Sequence, residues 1–468
     1  MPSHLSTLLP RSAAAARRAH PRSHRCLQWL LPLALLAGAP ATRAADDPDF
    51  TVENWNLHGQ ATYVWQRKPA FNAPYSGPTS LSPDRERSYS FTSTAFIGLR
   101  VAPSTELYFN PEVVQGLPLS RLQGLGGLTN GELQKTAGTS PIVYRARLFV
   151  RHTWGLGGGT EQVASDANQL ASVYDKRRLT LTAGNLAVSD LFDDSKYAHD
   201  ARTQFLNWSF LTHGAYDYAA DSRGYSWGAA LDYRHDDTWS VRAGRFMLPI
   251  ESNGLKLDHA LFRHYGDQIE LERRHSWNGR EGSVKLLAFR NVAVMGGFRD
   301  ALAYGAQNGT VPDVAPIRER RSKVGAGVHL EQDIADDIGV FTRLAANDGK
   351  SETYAFAEID RSASAGATFG GARWGRPMDA LGMGVALNGL SQSHRDFLAA
   401  GGSGFFVGDG RLRYRTETIL ESYYRFGFGL PRGGEAGLSF GVQYIRNPAY
   451  NADRGPVKIG TVRLHVEL

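Results

Sequence analysis

The sequence has a single cysteine, Cys26, and it lies in an N-terminal segment that carries the features of a cleaved leader. After that segment the chain has no thiol, which excludes a disulfide framework, thiolate catalysis and zinc sites built on cysteine. The sequence also lacks a long apolar run. The longest, from Leu27 to Ala37, is too short to span a bilayer as a helix.

The N-terminal segment has the composition of a secretory signal peptide. Residues 1–44 contain six arginines and no acidic residue, and the apolar run follows them. The small residues Thr42 and Ala44 stand at the spacing that signal peptidase reads. The sequence therefore predicts a signal peptide at residues 1–44 and a mature chain that begins at Ala45.

Net charge says little about partners once the leader is set aside. Without its six arginines the chain holds 46 basic and 46 acidic residues, so the mature protein is formally neutral. A neutral chain gives no support to nucleic acid as a partner. Residues 45–468 also show no Pro-rich or Ser-rich linker and no charge block, and we expect them to form a single domain.

Strict alternation of apolar and polar residues is the most frequent pattern in this domain. In residues 55–65, Trp55, Tyr63 and Trp65 share one face, and Gln60 and Thr62 lie on the other. A period of two is typical of a β-strand with two unlike faces. The two tryptophans are about 33 Å apart along a strand, or about 25 Å in height if the strand tilts by about 40°, which is the separation of the aromatic girdles of a membrane barrel.

The same alternation recurs along the chain, with charged residues on one face and aromatic or aliphatic residues on the other. It is clear in residues 89–101, 107–112, 144–151, 225–234, 324–331, 411–426 and 462–468. A chain of this kind crosses a membrane only as a closed barrel, because closure pairs every backbone donor and acceptor. The sequence predicts an all-β fold, a transmembrane antiparallel β-barrel of about 16 strands (range about 16 to 18), with the polar face lining a wet lumen.

Several sequence blocks carry a resemblance to a known family. They are LYFNPEVVQG (107–116), FDDSKYAHDARTQFLNW (192–208), AYDYAADSRGYSWG (215–228), LEQDIADDIGVFTRLAANDG (330–349), RWGRPMDALG (373–382), GGSGFFVGDGRLRY (401–414) and NPAYNADRGPV (447–457). In this order the chain resembles the carbohydrate-selective porins of the Gram-negative outer membrane, the OprB-like family. The resemblance implies a single barrel domain in the outer membrane, reached by export through the inner membrane.

A sugar channel needs side chains that replace the hydration of hydroxyl groups. Paired arginine and glutamate, together with asparagine and glutamine, do so without a strong net field, and an aromatic ring takes the C–H face of a sugar. For each candidate the alternative is an ion pair that braces the barrel wall. The candidates, expected to meet water in the lumen, are Glu112, Arg145, Arg147, Arg151, Asp200, Arg202, Asn207, Trp208, Glu270, Glu272, Arg413, Arg415, Glu417 and Glu421.

The Gly-rich stretch at residues 115–141 is too long for a hairpin turn. Two readings are open: an exposed surface loop, or a loop folded into the lumen as a constriction. We favour the second because selectivity requires a constriction and because the leucines of the stretch need a buried surface. They are Leu117, Leu119, Leu122, Leu125 and Leu128.

Enzymatic motifs fail on inspection. Gly349 to Ser351 evokes a phosphate-binding loop, but Leu344 stands where its first glycine belongs. His259 and His264 have the wrong spacing for a zinc-binding helix. We therefore expect no enzyme activity, no cofactor and no metal.

The expected function is passive, moderately selective diffusion of mono- and oligosaccharides. One alternative is a general or anion-preferring porin, favoured by the arginines of residues 145–151 and 411–415. A more distant one is a surface barrel used for adhesion or as an enzyme scaffold. The expected partners are small sugars, outer-membrane lipid and the barrel-assembly machinery. A homotrimer is common among porins of this size, although the sequence carries no interface signal.

Overall fold

The computed structural model describes residues 50–354, 357–431 and 433–468. The predicted signal peptide and Cys26 lie outside the described residues. The described residues form eighteen strands: β1 Trp55–Lys68, β2 Glu86–Ala102, β3 Thr105–Leu117, β4 Ile142–Gly155, β5 Thr160–Val163, β6 Ser172–Asp175, β7 Arg178–Leu186, β8 Ser226–Arg234, β9 Trp239–Phe246, β10 Tyr265–Trp277, β11 Arg280–Met295, β12 Glu319–Ala335, β13 Ile338–Asn347, β14 Arg361–Gly370, β15 Ala380–Gly389, β16 Glu417–Gly429, β17 Glu435–Arg446 and β18 Val457–Glu467.

Sixteen of these strands form one closed antiparallel barrel, and β5 and β6 form a separate hairpin. The barrel closes where β18 pairs with β1, with Ala61 opposite Val466 and Tyr63 opposite Leu464. Closure gives the strand backbones partners on both sides, as a bilayer demands. The predicted all-β barrel of about 16 strands is confirmed.

The two faces of the strands are those that alternation predicts. Trp55 and Tyr63 are exposed on the outer surface, whereas Gln60 and Thr62 are buried inside the barrel. The outer surface of β18 is likewise apolar, with Leu464 and Val466 exposed. An apolar exterior around a polar interior is the arrangement of a membrane barrel.

The two rims of the barrel differ in the length of their connections. One rim has tight turns, such as residues 103–104, 278–279 and 336–337, and we call it the short-turn rim. The other, the long-loop rim, carries the long connections at residues 118–141, 187–225, 296–318 and 390–416. In outer-membrane barrels short turns face the periplasm and long loops face the exterior. The exception is the segment 156–177 with the β5–β6 hairpin, which lies at the short-turn rim.

The α-helices of the described residues lie in the long loops, and they are α1 Trp208–Leu211, α2 Phe298–Asn308 and α3 Gln392–Ala399. Short 3₁₀ turns occur at the long-loop rim at Leu119–Leu122, Val188–Asp190, Ala315–Ile317 and Pro448–Tyr450, and at the short-turn rim at Gly371–Trp374. Within the described residues, every helix is too short or too polar to cross a bilayer.

The hydrophobic core lies inside the barrel, where long loops fold against the wall. The loop 118–141 is folded inward, as we favoured, and Leu119, Leu125 and Leu128 are buried. Leu117 ends strand β3 and is exposed on the outer surface instead. At the long-loop rim, α2 and α3 pack against loop residues such as Leu128, Val407 and Tyr450 and form a separate hydrophobic cluster.

Candidate functional site

Loop 187–225 runs down the inside of the barrel, and Glu421 holds it there. The carboxylate accepts hydrogen bonds from the backbone N–H of Leu206 at 2.6 Å and of Asn207 at 2.9 Å. The Asn207 side chain donates to Gln443 at 3.0 Å and caps α1 by accepting from the N–H of Ser209. Glu421 and Asn207 therefore fasten the loop to strands β16 and β17.

Arg343 of β13 fastens the same loop to the wall three strands away from β16. Its guanidinium is 3.0 Å from Asp193 and donates to the carbonyl oxygens of Ala198 and Phe210 at 2.8 and 2.7 Å. Burial by itself raises the pKa of Asp193, but Arg343, with His213 and His329, holds that pKa well below its usual range. Asp193 is thus an ionised, fully buried anchor.

Glu417 holds loop 118–141. It accepts from the backbone N–H of Gly126 at 3.1 Å and of Ala449 at 2.9 Å, and from the Asn388 amide at 3.3 Å. Alternation placed Glu417 and Glu421 against water in the lumen. Both face inward but are 0% and 5% exposed, because the loops cover them.

A first polar cluster on the uncovered part of the inner wall joins Arg147 to the start of loop 187–225. Arg147 is 2.6 Å from Asp190, and its guanidinium lies 5.3 Å from the centre of the Tyr225 ring. The side chains of Arg147 and Asp190 are 14% and 29% exposed, so they border water inside the barrel. This cluster offers charged donors, a carboxylate and an aromatic face together.

A second cluster lies where loops 118–141 and 187–225 meet strand β3. Arg202 is 2.9 Å from Glu132 and 3.5 Å from Glu112. Glu112 also accepts a hydrogen bond from Tyr144. Burial opposes ionisation of Asp200, but Arg202 and a hydrogen bond from Thr203 keep its pKa below the usual value. This cluster has one arginine among three carboxylates, so negative charge is in excess.

A third cluster centres on Arg242 of β9. Its guanidinium contacts three carboxylates, Asp232 at 2.7 Å, Glu270 at 2.6 Å and Glu272 at 2.7 Å. Glu270 also accepts from the backbone N–H of Asp193 at 2.7 Å. Glu270 therefore joins the charged wall to the loop that narrows the lumen.

A cavity of about 740 Å³ opens toward the short-turn rim below these clusters. Loop 187–225 contributes Lys196 and Tyr197 to its lining, and the strands contribute Glu272, Lys285 and Glu331. The lining mixes both signs of charge with a tyrosine. Among the described residues, no group of three or more histidine or acidic side chains is arranged to hold a metal ion.

Three of the predicted residues lie outside the lumen. Arg145 is on the outer face, with its guanidinium 5.1 Å from the Trp227 ring centre. Asn110 of β3 pairs with Arg147 and Pro111 pairs with Arg145, so Ala146 of β4 is the extra residue of a β-bulge. Beyond this bulge, the β4 side chains that would have pointed outward point inward, and the reverse. Arg147 and Arg151 consequently face inward although Arg145 does not.

Arg413 and Arg415 precede the strand in which they were placed. Strand β16 begins at Glu417, and both arginines are exposed in the loop before it. Arg413 pairs with Asp453 at 2.5 Å. In residues 411–415 charged and apolar residues alternate as they do in a strand, although the segment is a loop. The start of β16 follows from its pairing with the neighbouring strands.

The remaining two predicted residues face the interior without belonging to the three clusters. Arg151 lies 5.0 Å from the Tyr108 ring centre and donates to the carbonyl of Asn168. Trp208 is half-buried in α1 and stacks on Tyr218 at 6.3 Å. Sugar contact by any predicted residue stays a prediction.

Sequence reasoning missed the partners that complete the clusters. Asp190, Asp232, Arg242 and Tyr225 were not among the candidates. The signal for Arg242 was present, because Ser240 and Arg242 alternate with Trp239 and Val241 in one short strand. Asp190 lies in a loop, where no periodicity indicates direction.

The long-loop rim holds a buried histidine between two carboxylates. His394 of α3 is 3.0 Å from Asp360 and 3.1 Å from Glu358, and its ring stacks on Phe298 at 4.1 Å. Burial by itself lowers the pKa of His394, but Asp360 and Glu358 raise it to about 9. The imidazolium therefore ties α3 to the loop before β14.

This histidine predicts a pH dependence of stability. Since its folded pKa of about 9 exceeds the unfolded value of 6.5, its contribution is complete below pH 6.5 and is lost as pH rises through 9. We expect it to be about 2 to 3 kcal/mol at pH 7. As the pH rises from 7 to 10, the thermal unfolding midpoint of the wild-type protein should decrease more steeply than that of His394→Gln. His259→Gln, at an exposed loop histidine, is the control and should follow wild type.

Comparison with known proteins places this arrangement in a family. The sequence profile described as "Carbohydrate-selective porin, OprB family" matches residues 97–468. The chain belongs to this family. It is accordingly a carbohydrate-selective porin of the Gram-negative outer membrane, and family and fold indicate a channel rather than an enzyme.

A solved porin structure shares the barrel fold of this chain. The chain is similar to OprB of Pseudomonas putida, with a TM-score of 0.65, 15% identity and coverage of 89% of this chain and 94% of the other. Acinetobacter baumannii OccAB1 gives a TM-score of 0.47 at 9% identity, with 89% and 97% covered. Pseudomonas aeruginosa OccK2 gives 0.44 at 9% identity, with 89% and 98% covered. No curated protein matches the sequence.

Proposed function

We propose that this porin mediates passive, moderately selective diffusion of mono- and oligosaccharides along the charged wall formed by β3, β4 and β8–β10. The observation that carries the proposal is the pairing of its charges. Arg147 faces Asp190, Arg202 faces Glu112 and Glu132, and Arg242 faces three carboxylates. Each of these arginines contacts at least one carboxylate, so the wall offers charged donors and acceptors to sugar hydroxyl groups, and its carboxylates outnumber its arginines.

The arrangement argues against the anion-preferring alternative. Of the three arginines in residues 145–151 that favoured it, Arg145 lies outside the lumen and Arg147 is paired with Asp190, so Arg151, against Tyr108 and the Asn168 carbonyl, is the one that still supports it. Those in residues 411–415 lie in an outer loop. Reversal potentials across planar bilayers test this point, and a strong chloride preference would favour the alternative.

The proposal also includes the energy source, the partners, the export and the oligomeric state of the channel. The channel works without catalysis and without energy coupling, since its only requirement is a gradient of sugar. Its partners are small sugars within the lumen, lipid around the apolar exterior and the barrel-assembly machinery during insertion. Export across the inner membrane follows from the signal peptide predicted at residues 1–44. A homotrimer would leave each passage inside a single chain.

Sugar permeation through liposomes tests the proposal. Liposomes with the wild-type protein should swell faster in glucose-sized sugars than in zwitterions of similar size, and sugar should reduce the single-channel current. Arg147→Met should weaken this block by about tenfold or more, because a hydrogen bond to a charged group contributes about 1.5 to 3 kcal/mol.

The matched control is Arg413→Met, which breaks an arginine–aspartate pair in an exposed loop. It should leave sugar block unchanged. Equal swelling in all small solutes, with no block by sugar, would leave a pore that does not select carbohydrates.

A further inference from the structure

Four basic side chains form a patch on the outer surface at the long-loop rim, far from the lumen. They stand on four neighbouring strands of the barrel, in the order β17, β18, β1 and β2. All four are exposed and lie in the outward register of their strands. We call this surface the rim patch; its members are Arg446, Lys458, Arg67 and Arg87.

The rim patch has no internal counter-charge. Among the described residues, none of the four takes part in a salt bridge or a ring contact. The neighbouring acid, Glu86, points inward and is occupied by Lys68 at 3.4 Å and by Ser120 at 2.7 Å. The outward arginine at the same rim on β9, by contrast, is neutralised: Arg245 is 2.7 Å from Asp267.

The register places two like charges directly opposite each other. Arg67 pairs with Arg87 across β1 and β2. Like charges at facing positions of a sheet repel and destabilise the pairing. An anion between the two guanidinium groups removes the repulsion, and a guanidinium binds phosphate in bidentate geometry.

Aromatic residues beneath the patch set its depth in the membrane. Trp65 faces Tyr89 one outward step below Arg67 and Arg87, and Tyr63 stacks on Tyr89 at 6.3 Å. On the other side of the patch, Tyr444 faces Lys458. Tryptophan and tyrosine girdles mark the level of the lipid headgroups. The rim patch therefore stands at or just above the headgroups on the side of the long loops, which is the outer leaflet.

We propose that the rim patch binds the phosphate groups of a phosphorylated glycolipid in the outer leaflet. The positive charge of the patch, its depth at the headgroup level and the facing arginines all match such a ligand. A second copy of the chain in a two-fold contact is a poor occupant, because that contact would bring two basic patches together, and the oligomeric state of the variant tests a head-to-tail contact. The inference depends on the barrel standing in the outer membrane and is independent of which sugar passes through it.

Native mass spectrometry of the full-length mature barrel in detergent tests the proposal, with bisphosphorylated lipid A as the probe. Wild type should retain the lipid, and enzymatically dephosphorylated lipid A should bind at least about tenfold more weakly. The variant R67Q/R87Q/R446Q/K458Q should lose affinity for the phosphorylated form by a similar factor. The sugar block of its current should be unchanged, because the four side chains face away from the lumen.

Arg273→Gln is the matched control. Arg273 is an outward arginine near the short-turn rim, 5.4 Å from the Trp239 ring centre, and its variant should retain lipid A like wild type. The double variant R67Q/R87Q guards against misfolding of the quadruple one, and heat-modifiable mobility in gels shows that each is folded. Equal retention by variant and wild type, equal retention of the dephosphorylated lipid, or an oligomer that dissociates in the variant would each overturn the proposal.

Discussion

Replacing Arg343 by methionine is expected to release loop 187–225 from the barrel wall and to destabilise the protein by about 3 to 5 kcal/mol. The guanidinium is fully buried and makes contacts with Asp193, Ala198 and Phe210. Methionine leaves the Asp193 carboxylate without its arginine and two carbonyl oxygens without donors. A buried charge that loses its partner costs more than the pair contributed, because its desolvation is no longer offset.

Two measurements check this expectation. The temperature at which the folded gel band is lost should fall, and the single-channel conductance should rise as the loop leaves the lumen. Arg361→Met is the matched control, since Arg361 is exposed on the outer face of the neighbouring strand β14. Arg343→Met/Asp193→Asn should recover part of the loss, because the buried carboxylate that had lost its arginine is gone. If Arg343→Met has the same stability and conductance as Arg361→Met, then Arg343 does not anchor loop 187–225.

The double variant Glu417→Gln/Glu421→Gln, which neutralises both carboxylates that hold the loops, is expected to lower the free energy of unfolding by about 3 to 6 kcal/mol. Each carboxylate accepts hydrogen bonds from backbone N–H groups with both of its oxygens. Glutamine has one acceptor oxygen, and its NH₂ group faces a donor in place of the other. Each hydrogen bond to a charged group contributes about 1.5 to 3 kcal/mol, so at least one such contribution is lost at each position.

Alternation alone predicts the opposite outcome for this pair, namely a solvated surface that tolerates neutralisation. The double variant should instead show a lower thermal midpoint and faster proteolysis in residues 118–141 and 187–225. Glu319→Gln/Glu435→Gln is the control, because both are exposed glutamates that each make a salt bridge. If the two double variants are equally stable, then Glu417 and Glu421 face water and do not hold the loops.

The sequence by itself determined the barrel. A period of two specifies which side chains face lipid, and a membrane without water forces strands of that kind into closure, so the sixteen-strand ring follows from local pattern and one physical constraint. The outward Trp55 and the inward Gln60 and Thr62 show how directly this works. The inward fold of loop 118–141 was also readable, because its leucines require burial.

Only the tertiary structure decided which inward charges meet water. Glu421 and Glu272 face the same interior and look alike in sequence, yet one holds a loop backbone and the other pairs with Arg242 beside a cavity. The difference comes from loops of about 24 and 39 residues that fold back over part of the wall, and no periodicity reports where a loop lands. The bulge in β4 is a second case. A single extra residue, Ala146, turns Arg145 toward lipid and Arg147 toward the lumen, since every side chain beyond a one-residue shift changes face.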